Sequence, residues 1–240
     1  MQRKGAKLNV NFNNEISYNR TGNGQDDVGK FIWLNTPYEN YMDKKDRLRS
    51  IDYITISYCK FTNQYWTVAY GTQNTEITID RTTLLYNWWN KNVRRCPQLG
   101  NGIMHVYNNY YEAYGESDNN RDVTGIIGGD GSECVSENNM FNGYTIGQAL
   151  RMGGDENKNP ARDEGSFYSK ELDMTPEAIN FESKNVSKWY PNISNYGYIL
   201  LDAFNIDNYD TKNFCIKYAG CFDSPNGIKY ITDEDFSEWH

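Results

Sequence analysis

The chain has 240 residues and a formal net charge of −8, with a mean hydropathy of −0.83. This length is enough for one domain with a substantial core. The lack of any 18-residue apolar run argues against a transmembrane helix, and the acidic net charge argues against nucleic acid as a partner. Aromatic residues make up 15% of the chain, including 20 tyrosines, and a composition rich in Tyr, Ile, Val and Thr favours strands over helices.

Charge is distributed unevenly along the chain. Between Lys44 and Arg95 there are nine basic and four acidic residues, a local net charge of +5, which leaves −13 for the remainder. A chain of this kind can hold an anion on one face, although charge alone is equally consistent with a basic face that is simply solvated.

Cysteine and histidine provide few candidates for chemistry. The five cysteines lack the C-x-x-C spacing of metal sites, while Cys215 and Cys221 lie close enough in sequence to form a disulfide. Two histidines, His105 and His240, are too few for a serine-type triad or a His-rich metal site. Because His105 lies within a strand-like run, we expect it to be buried and hydrogen-bonded rather than catalytic.

The predicted elements begin with a loop at 17–30, a short strand FIWLN (31–35) and a charged segment at 38–49. Four segments then share one pattern of strand-forming residues, a polar or Tyr position, an Asn or Cys, and an aromatic: TISYCKF (55–61), LLYNWW (84–89), HVYNNYY (105–111) and VSENNMF (135–141). With Tyr58, Tyr86, Tyr107 and Glu137 as equivalents, the spacings are 28, 21 and 30. These intervals are too irregular for a propeller and indicate a β-solenoid with loops of variable length.

Asparagine recurs inside these repeats. A buried Asn amide donates to one coil and accepts from the next, and so forms a ladder at the inter-strand spacing of roughly 4.8 Å. We expect Asn87, Asn108 and Asn138 to form such a ladder, with Cys59 as a small buried residue in the same position. Chance recurrence in an Asn-rich chain is the alternative.

The rest of the chain consists of a strand–Gly turn–strand at 124–139, a polar loop at 150–170, and a tail with an apolar strand and a helical segment. We predict one parallel β-helix domain over 1–240, with coils at about 31–149 and a loop plus C-terminal cap at about 150–240. The first residues, MQRKGAKLNVNF, lack the apolar stretch of a signal peptide. Either the chain is intracellular, or its natural start lies upstream or has been removed.

Three blocks carry a family resemblance: RSIDYITISYCKFTNQYWTVAYGTQ (49–73), NVRRCPQLGNGIMHVYNNYYEAYG (92–115) and VSENNMFNG (135–143). They resemble the pectate lyase and pectin lyase superfamily, polysaccharide lyase family 1, over about residues 32–220. Members of this superfamily are right-handed parallel β-helices. The resemblance therefore implies an all-β, right-handed parallel β-helix that in this chain lacks its N-terminal coils and cap.

The resemblance also implies β-elimination in homogalacturonan. An arginine removes the C5 proton of a uronate whose carboxylate is neutralised by Ca²⁺ and basic side chains. By its position in the R-x-P motif Arg95 is the base, and Arg94 is the alternative after a shift of one residue. Since Arg95 stands just before Cys96-Pro97, we expect an extended backbone there. The implied substrate-binding residues are Arg94, Lys91, Trp66 and Arg49.

The implied cofactor is Ca²⁺, which prefers oxygen ligands. Relatives that use Ca²⁺ read D-G-x-x-D-x-x-R where this chain reads MDKKDRLR (42–49). Asp46 falls on the second ligand, and Asp43 replaces the first only if the loop shifts. Asp26 or Asp27 is the further upstream carboxylate. The competing interpretation is that all four are ordinary solvated acids in loops.

Departures from the family pattern leave several functions open. Trp66 replaces a lysine, and Gln98 and Gly100 replace two arginines. The first expectation is a Ca²⁺-assisted pectate lyase that is secreted and monomeric, with pectate or pectin as its partner and no nucleic acid or membrane partner. The alternatives are a Ca²⁺-independent pectin lyase whose cleft is lined by aromatics, a galacturonan-binding solenoid that has lost catalysis, and a purely structural solenoid. Trp88 and Trp89 cannot both face a cleft, because neighbouring strand residues point to opposite sides.

Overall fold

The chain folds into short parallel strands that recur in three sheets, named A, B and C here. The computed structural model describes residues 8–11, 15–17, 32–34, 51–52, 54–64, 66–70, 79–113, 123–129, 131–152, 160–180, 201–204 and 210–220. Strands and helices are numbered in chain order. The chain visits sheet A, then B, then C, and each new strand pairs with its equivalent from the previous coil.

The strands of each sheet, within the described residues, are as follows. Sheet A contains β1 (Leu8–Asn11), β4 (Ile51–Asp52), β5 (Ile54–Ser57), β8 (Ile79–Leu85), β11 (Gly102–Tyr107), β14 (Ser132–Glu137) and β17 (Ala161–Glu164). Sheet B contains β2 (Glu15–Ser17), β6 (Lys60–Thr62), β9 (Trp88–Asn90), β12 (Tyr110–Glu112), β15 (Met140–Asn142), β18 (Phe167–Ser169) and β19 (Glu177–Ala178). Sheet C contains β3 (Ile32–Leu34), β7 (Val68–Tyr70), β10 (Gln98–Leu99), β13 (Ile126–Gly128) and β16 (Leu150–Met152).

Pairing is parallel in all three sheets, which confirms the predicted β-helix. The exception is β19, which lies antiparallel to β18 at the end of sheet B. The coils also extend beyond the predicted range of 31–149, because β1 and β2 precede it and β17 and β18 follow it. These outer strands, such as LNVN and ARDE, are short and polar and carry little hydrophobic signal.

The turn from sheet A to sheet B is the tightest corner of each coil. Two residues connect the strands, and the first has a positive φ at every described corner from β5 to β18: Tyr58 (56°), Tyr86 (55°), Asn108 (50°), Asn138 (47°) and Gly165 (74°). Asn and Gly adopt this left-handed conformation at the lowest cost. The two tyrosines adopt it at a higher cost, so contacts elsewhere must stabilise them.

The second corner residue forms the predicted ladder, but its register is one residue from the prediction. Asn109 Oδ1 accepts from the backbone N–H of Asn87 at 3.1 Å and from its Nδ2 at 2.9 Å. Asn139 Oδ1 accepts from the N–H of Asn109 at 2.8 Å. Cys59 begins this row, because its N–H donates to Asn87 Oδ1 at 2.9 Å, and Ser166 ends it by accepting from the N–H of Asn139 at 3.0 Å.

The prediction was therefore correct for Asn87 and wrong for Asn108 and Asn138. Leu85 pairs with Tyr107, so the corner falls at Asn108, not at Tyr107, and the spacing from Tyr86 is 22 residues. Asn108 and Asn138 instead occupy the left-handed corner positions.

An aromatic column fills the interior behind sheet B. Phe61, Trp89, Tyr111 and Phe141 are fully buried at one position in four successive coils. Their consecutive ring centroids lie 4.5, 5.7 and 4.4 Å apart, with interplanar angles of 16°, 5° and 17°. Aliphatic residues of sheets A and C complete this core. Trp88 points out of sheet B with the Lys60 ammonium 4.4 Å from its ring centroid, so the two tryptophans do face opposite sides.

Two helices accompany the coils in the described residues, α1 (Ile146–Ala149) before β16 and α2 (Thr211–Tyr218) in the tail. Asp210 caps α2 by accepting the N–H of Asn213 at 2.9 Å. Neither helix is long and apolar enough to cross a membrane.

The helix α2 lies along the side of the β-helix, over the corners between sheets A and B. Phe214 packs against Tyr86 and Tyr58 with ring centroids 4.8 and 6.4 Å apart. Cys215 donates its thiol to the carbonyl of Asn108 at 3.3 Å, and Thr211 Oγ1 donates to the carbonyl of Asn138 at 3.0 Å. This part of the tail therefore covers a side of the β-helix rather than the end that we expected it to cap. Cys215 is a free cysteine, so the disulfide considered between Cys215 and Cys221 is not formed; Cys221 itself lies outside the described residues.

Candidate functional site

The predicted site residues that the structure describes lie where sheet B gives way to sheet C. The connection from β9 to β10 contains Lys91, Arg94 and Arg95, and the connection from β6 to β7 contains Trp66. These two connections run side by side, because Trp66 and Arg94 form a parallel β-bridge. The N–H of Val68 donates to the carbonyl of Arg95 at 2.9 Å. The coil repeat therefore brings together residues that are 27 or 28 positions apart.

Arg95 has a left-handed backbone, with φ of 61°. This result contradicts the extended conformation that we predicted, because the restriction imposed by Pro97 acts on Cys96 and not on Arg95. A non-glycine residue in this region carries strain of order 1–3 kcal/mol. The backbone is held in place on both sides, since the adjoining N–H of Cys96 donates to the carbonyl of Gly125 at 2.9 Å.

The side chain of Arg95 stacks on Trp66. Its Cζ atom lies 4.5 Å from the centroid of the indole ring, which is cation–π geometry. Both residues are half-buried. The structure thus brings together the predicted base and one predicted substrate-binding residue.

Arg94 and Lys91 differ in exposure. Arg94 is half-buried next to Arg95, whereas Lys91 is exposed at the corner after β9. The Lys91 backbone has φ of 56° and donates its N–H to the carbonyl of Glu112 at 2.8 Å. Two arginines and one lysine therefore lie within five consecutive positions, 91–95, on this connection.

The layer beneath the arginines is buried and uncharged. Cys96 is fully buried with its sulfur 3.4 Å from the hydroxyl of Thr67. Burial raises the pKa of this thiol to about 12, and the contact with Thr67 offsets only part of that effect. Cys96 is therefore neutral at physiological pH and is unsuited to nucleophilic chemistry.

The outer face of sheet C continues from the arginines along the axis of the β-helix. Gln98 is in register with Ala69 on one side and Ile127 on the other, and Ile127 is in register with Arg151. Arg151 is exposed. Two inter-strand spacings separate it from the position of Gln98, about 10 Å. Arg151 is not among the predicted site residues, because the sequence pattern of 150–170 predicts a polar loop.

The remaining predicted site residues, Arg49, Asp46, Asp43, Asp27 and Asp26, lie outside the described residues. In the part of the chain that is described, no three His, Cys, Asp or Glu side chains form a group suited to a metal ion. The calcium ligands therefore stay a prediction.

His105 lies on another face, the outer side of sheet A. It is fully buried, its Nε2 contacts a carboxylate oxygen of Glu137, and its ring centroid lies 4.8 Å from that of Tyr107. The expectation that His105 is buried and hydrogen-bonded is confirmed.

Comparison with known proteins identifies relatives of this chain. Among curated proteins, a probable pectate lyase A from Neosartorya fischeri is 31% identical over 103 residues, which cover 41% of this chain and 29% of that protein. A pectate lyase from Bacillus subtilis is 31% identical over 78 residues, 31% of this chain and 19% of that protein.

Solved structures show the same fold. A pectate lyase from Bacillus sp. N165 in complex with trigalacturonate has a TM-score of 0.50 at 20% identity and covers 71% of this chain and 50% of its own. Pectate lyase C from Erwinia chrysanthemi, studied with Ca²⁺, has a TM-score of 0.50 at 18% identity. The match covers 77% of this chain and 50% of that protein. The major cedar-pollen allergen jun a 1 has a TM-score of 0.51 at 15% identity. The match covers 80% of this chain and 53% of that protein.

The chain thus spans about half the length of these solved relatives. One family model, described as Pectate lyase, matches residues 34–214, three quarters of the chain. The parallel sheets, the R-x-P connection and this match lead to one conclusion: the chain belongs to the pectate lyase family.

Proposed function

We propose that this protein cleaves α-1,4-linked polygalacturonate by β-elimination, with Arg95 as the base. The observation that supports this most directly is the placement of Arg95 on the connection into β10, with its guanidinium held on Trp66 and Arg94 next to it. The bound trigalacturonate of the Bacillus sp. N165 enzyme supports this class of substrate.

In the proposed reaction a neutral Arg95 guanidine takes the C5 proton of a uronate residue and becomes a guanidinium. The electron pair of the C5–H bond forms the C4–C5 double bond, and the C4–O4 bond breaks. The O4 oxygen leaves with its electron pair and takes a proton from water. The products are a chain with an unsaturated end and a chain with a new hydroxyl.

The reaction requires the neutral form of Arg95, whereas an ordinary arginine is protonated at physiological pH, since its unperturbed pKa is above 12. Neighbouring positive charge and partial desolvation both favour the neutral form of a basic group. Arg94 supplies the first condition, and the half-buried environment of both arginines supplies the second.

Lys91, Arg94 and Arg49 are the proposed partners of the substrate carboxylates, and Trp66 is the proposed apolar contact. Arg151 extends this set along the outer face of sheet C. A polysaccharide lying along the axis of the β-helix would pass from Arg95 over Gln98 and Ile127 to Arg151.

We propose that the reaction uses Ca²⁺, with Asp46, Asp43, Asp27 and Asp26 as its candidate ligands. When bound, Ca²⁺ would neutralise the uronate carboxylate and acidify the C5 proton. The study of the Erwinia chrysanthemi enzyme with Ca²⁺ supports its use within the family. We further propose that the protein is secreted, because its substrate is a plant cell-wall polysaccharide, and that it acts as a monomer.

A pectin lyase is the second candidate, and the outer face of sheet C favours it. The half-buried positions next to the arginines are Gln98 and Ile127, which carry no charge, and Trp66 adds an aromatic surface. Such a surface suits a methyl-esterified, uncharged uronate. The third candidate is a galacturonan-binding solenoid without turnover, which predicts salt-sensitive binding and no product.

The test uses the ultraviolet absorbance of the unsaturated product. Purified protein is incubated with polygalacturonate and with methylated pectin, each with and without EDTA. We expect Arg95→Ala to lower the rate by roughly 10²–10⁴-fold, the usual contribution of a general base. The matched control is Arg162→Ala, an arginine on sheet A whose Nε lies 2.9 Å from Glu164, which should retain full activity.

A folded protein without activity on either substrate would reject both lyase proposals. Equal activity of Arg95→Ala and the wild type would reject Arg95 as the base and point to Arg94.

A further inference from the structure

The contact between Arg95 and Trp66 has a specific geometry. The guanidinium carbon lies 4.5 Å from the indole centroid, so the flat cation rests over the face of the ring. The face of the indole therefore contacts the centre of the guanidinium, and this contact restricts the orientation of the Arg95 side chain.

The contact between Arg95 and Trp66 depends on backbone pairing between two successive coils. Trp66 pairs with Arg94 in a parallel bridge, and the N–H of Thr67 donates to the carbonyl of Arg94 at 3.3 Å. Neighbouring residues of a strand-like segment alternate in direction. The left-handed φ of 61° at Arg95 interrupts that alternation, and the Arg95 side chain then reaches the ring on the preceding coil.

We propose that Trp66 is a positioning residue for Arg95, which holds the guanidinium in one orientation over the outer face of sheet C. This inference rests on the proposed role of Arg95 as the base. It differs from the substrate-binding role assigned to Trp66 above, because here Trp66 acts on the substrate through Arg95. An arginine side chain has many rotamers, and fixing one of them lowers the cost of reaching the reactive arrangement.

The two roles of Trp66 predict different kinetics. A ring that contacts the sugar directly would, when removed, raise KM for galacturonan. Removal of a ring that positions the base would instead lower kcat and leave KM nearly unchanged. The ring also stabilises the protonated guanidinium, but we expect the loss of orientation to dominate and kcat to fall by about 2- to 30-fold.

The kinetic experiment compares Trp66→Phe, Trp66→Leu and Trp88→Leu. Phe keeps an aromatic face and should retain most of the activity, whereas Leu should lower kcat by about 2- to 30-fold. Trp88 is the matched control, because it is also half-buried and also stacks with a cation, Lys60, but on sheet B. Trp88→Leu should leave kcat unchanged, and in an Arg95→Lys background Trp66→Leu should have no further effect.

A second measurement does not depend on activity. The Arg95 Nε–H resonance in a ¹⁵N–¹H spectrum, assigned by its loss in Arg95→Lys, should lie upfield because of the ring current of Trp66. It should move toward the ordinary arginine position in Trp66→Leu and stay in place in Trp88→Leu. If the resonance behaves in this way in a protein without lyase activity, the contact stands and only the proposed function fails.

Two results would overturn the inference. One is an Arg95 resonance at the ordinary position in the wild type, which would mean that the stack does not form. The other is an increase in KM with an unchanged kcat in Trp66→Leu, which would make Trp66 a direct substrate contact.

Discussion

The Asn ladder makes a quantitative prediction for the change Asn109→Ala. Asn109 is fully buried in the middle of the ladder. Its Oδ1 accepts two hydrogen bonds from Asn87, at 3.1 and 2.9 Å. Its Nδ2 donates to the carbonyls of Leu84 and Tyr107, at 2.9 and 3.0 Å, and to Asn139 Oδ1 at 3.1 Å. Alanine removes all of these bonds and leaves a cavity the size of the amide.

The magnitude follows from the groups that lose a partner. The N–H of Asn87 is buried inside the coil, and an unsatisfied buried donor costs about 1–3 kcal/mol. Two of the other groups keep a second partner, since Asn87 Nδ2 still donates to the carbonyl of Ile56 at 3.0 Å and Asn139 Oδ1 still accepts the backbone N–H of position 109 at 2.8 Å. The remaining bonds together therefore add about 1–2 kcal/mol. We expect the free energy of unfolding to fall by about 3–4 kcal/mol, which is large for a single substitution.

The assay is urea unfolding followed by tryptophan fluorescence, with the free energy taken from the midpoint and slope. The control is Asn213→Ala in α2, a half-buried Asn with a side-chain bond to Asp210 at 2.9 Å. Alanine has the higher helix propensity, so the net change there should stay within about 0.5 kcal/mol. A loss below 1 kcal/mol for Asn109→Ala, or a loss equal to that of Asn213→Ala, would refute this account of the ladder.

Three further predictions concern the core, a buried acid and the cofactor. Phe141→Ala should lower the free energy of unfolding by about 3–5 kcal/mol, because it removes one ring of the stacked column, and thermal melting measures this. Burial raises the pKa of Asp163 to about 6, above its ordinary value of 3.8, so the folded protein keeps this carboxyl protonated at pH values where the unfolded chain has ionised it. Stability should therefore fall by about 2–3 kcal/mol as the pH rises from 4 to 7, and Asp163→Asn should remove that dependence in unfolding titrations. EDTA should abolish product formation on polygalacturonate if the calcium proposal is correct, and undiminished activity with a preference for methylated pectin would support the pectin lyase instead.

The sequence was sufficient to predict the β-helix but not the register of its ladder. HVYNNYY contains two consecutive asparagines, and either one satisfies a repeat of Asn followed by an aromatic. The corner decides between them, because its first position requires a positive φ, which Asn108 tolerates, and its second position points inward, as Asn109 does. That distinction depends on where β11 ends, and strand ends are poorly specified by residue type.

The candidate site was predicted in part for a related reason. Arg95 and Trp66 were both identified, but their stacking depends on the pairing of two coils whose lengths differ from those of their neighbours. Arg151 was missed because β16 has only three residues and lies next to a Gly pair. A strand this short gains its structure from pairing with β13 rather than from its own residues.

The position of α2 has a consequence for the cooperativity of unfolding. In a solenoid each repeat contacts only its neighbours, so the ends of such a protein tend to unravel one coil at a time. This helix contacts four successive corners, at Tyr58, Tyr86, Asn108 and Asn138. Opening any one of those coils therefore disturbs the helix that stabilises the other three. We expect amide hydrogens across these four coils to exchange in a single concerted opening, and to separate into distinct classes once Phe214 is replaced by alanine.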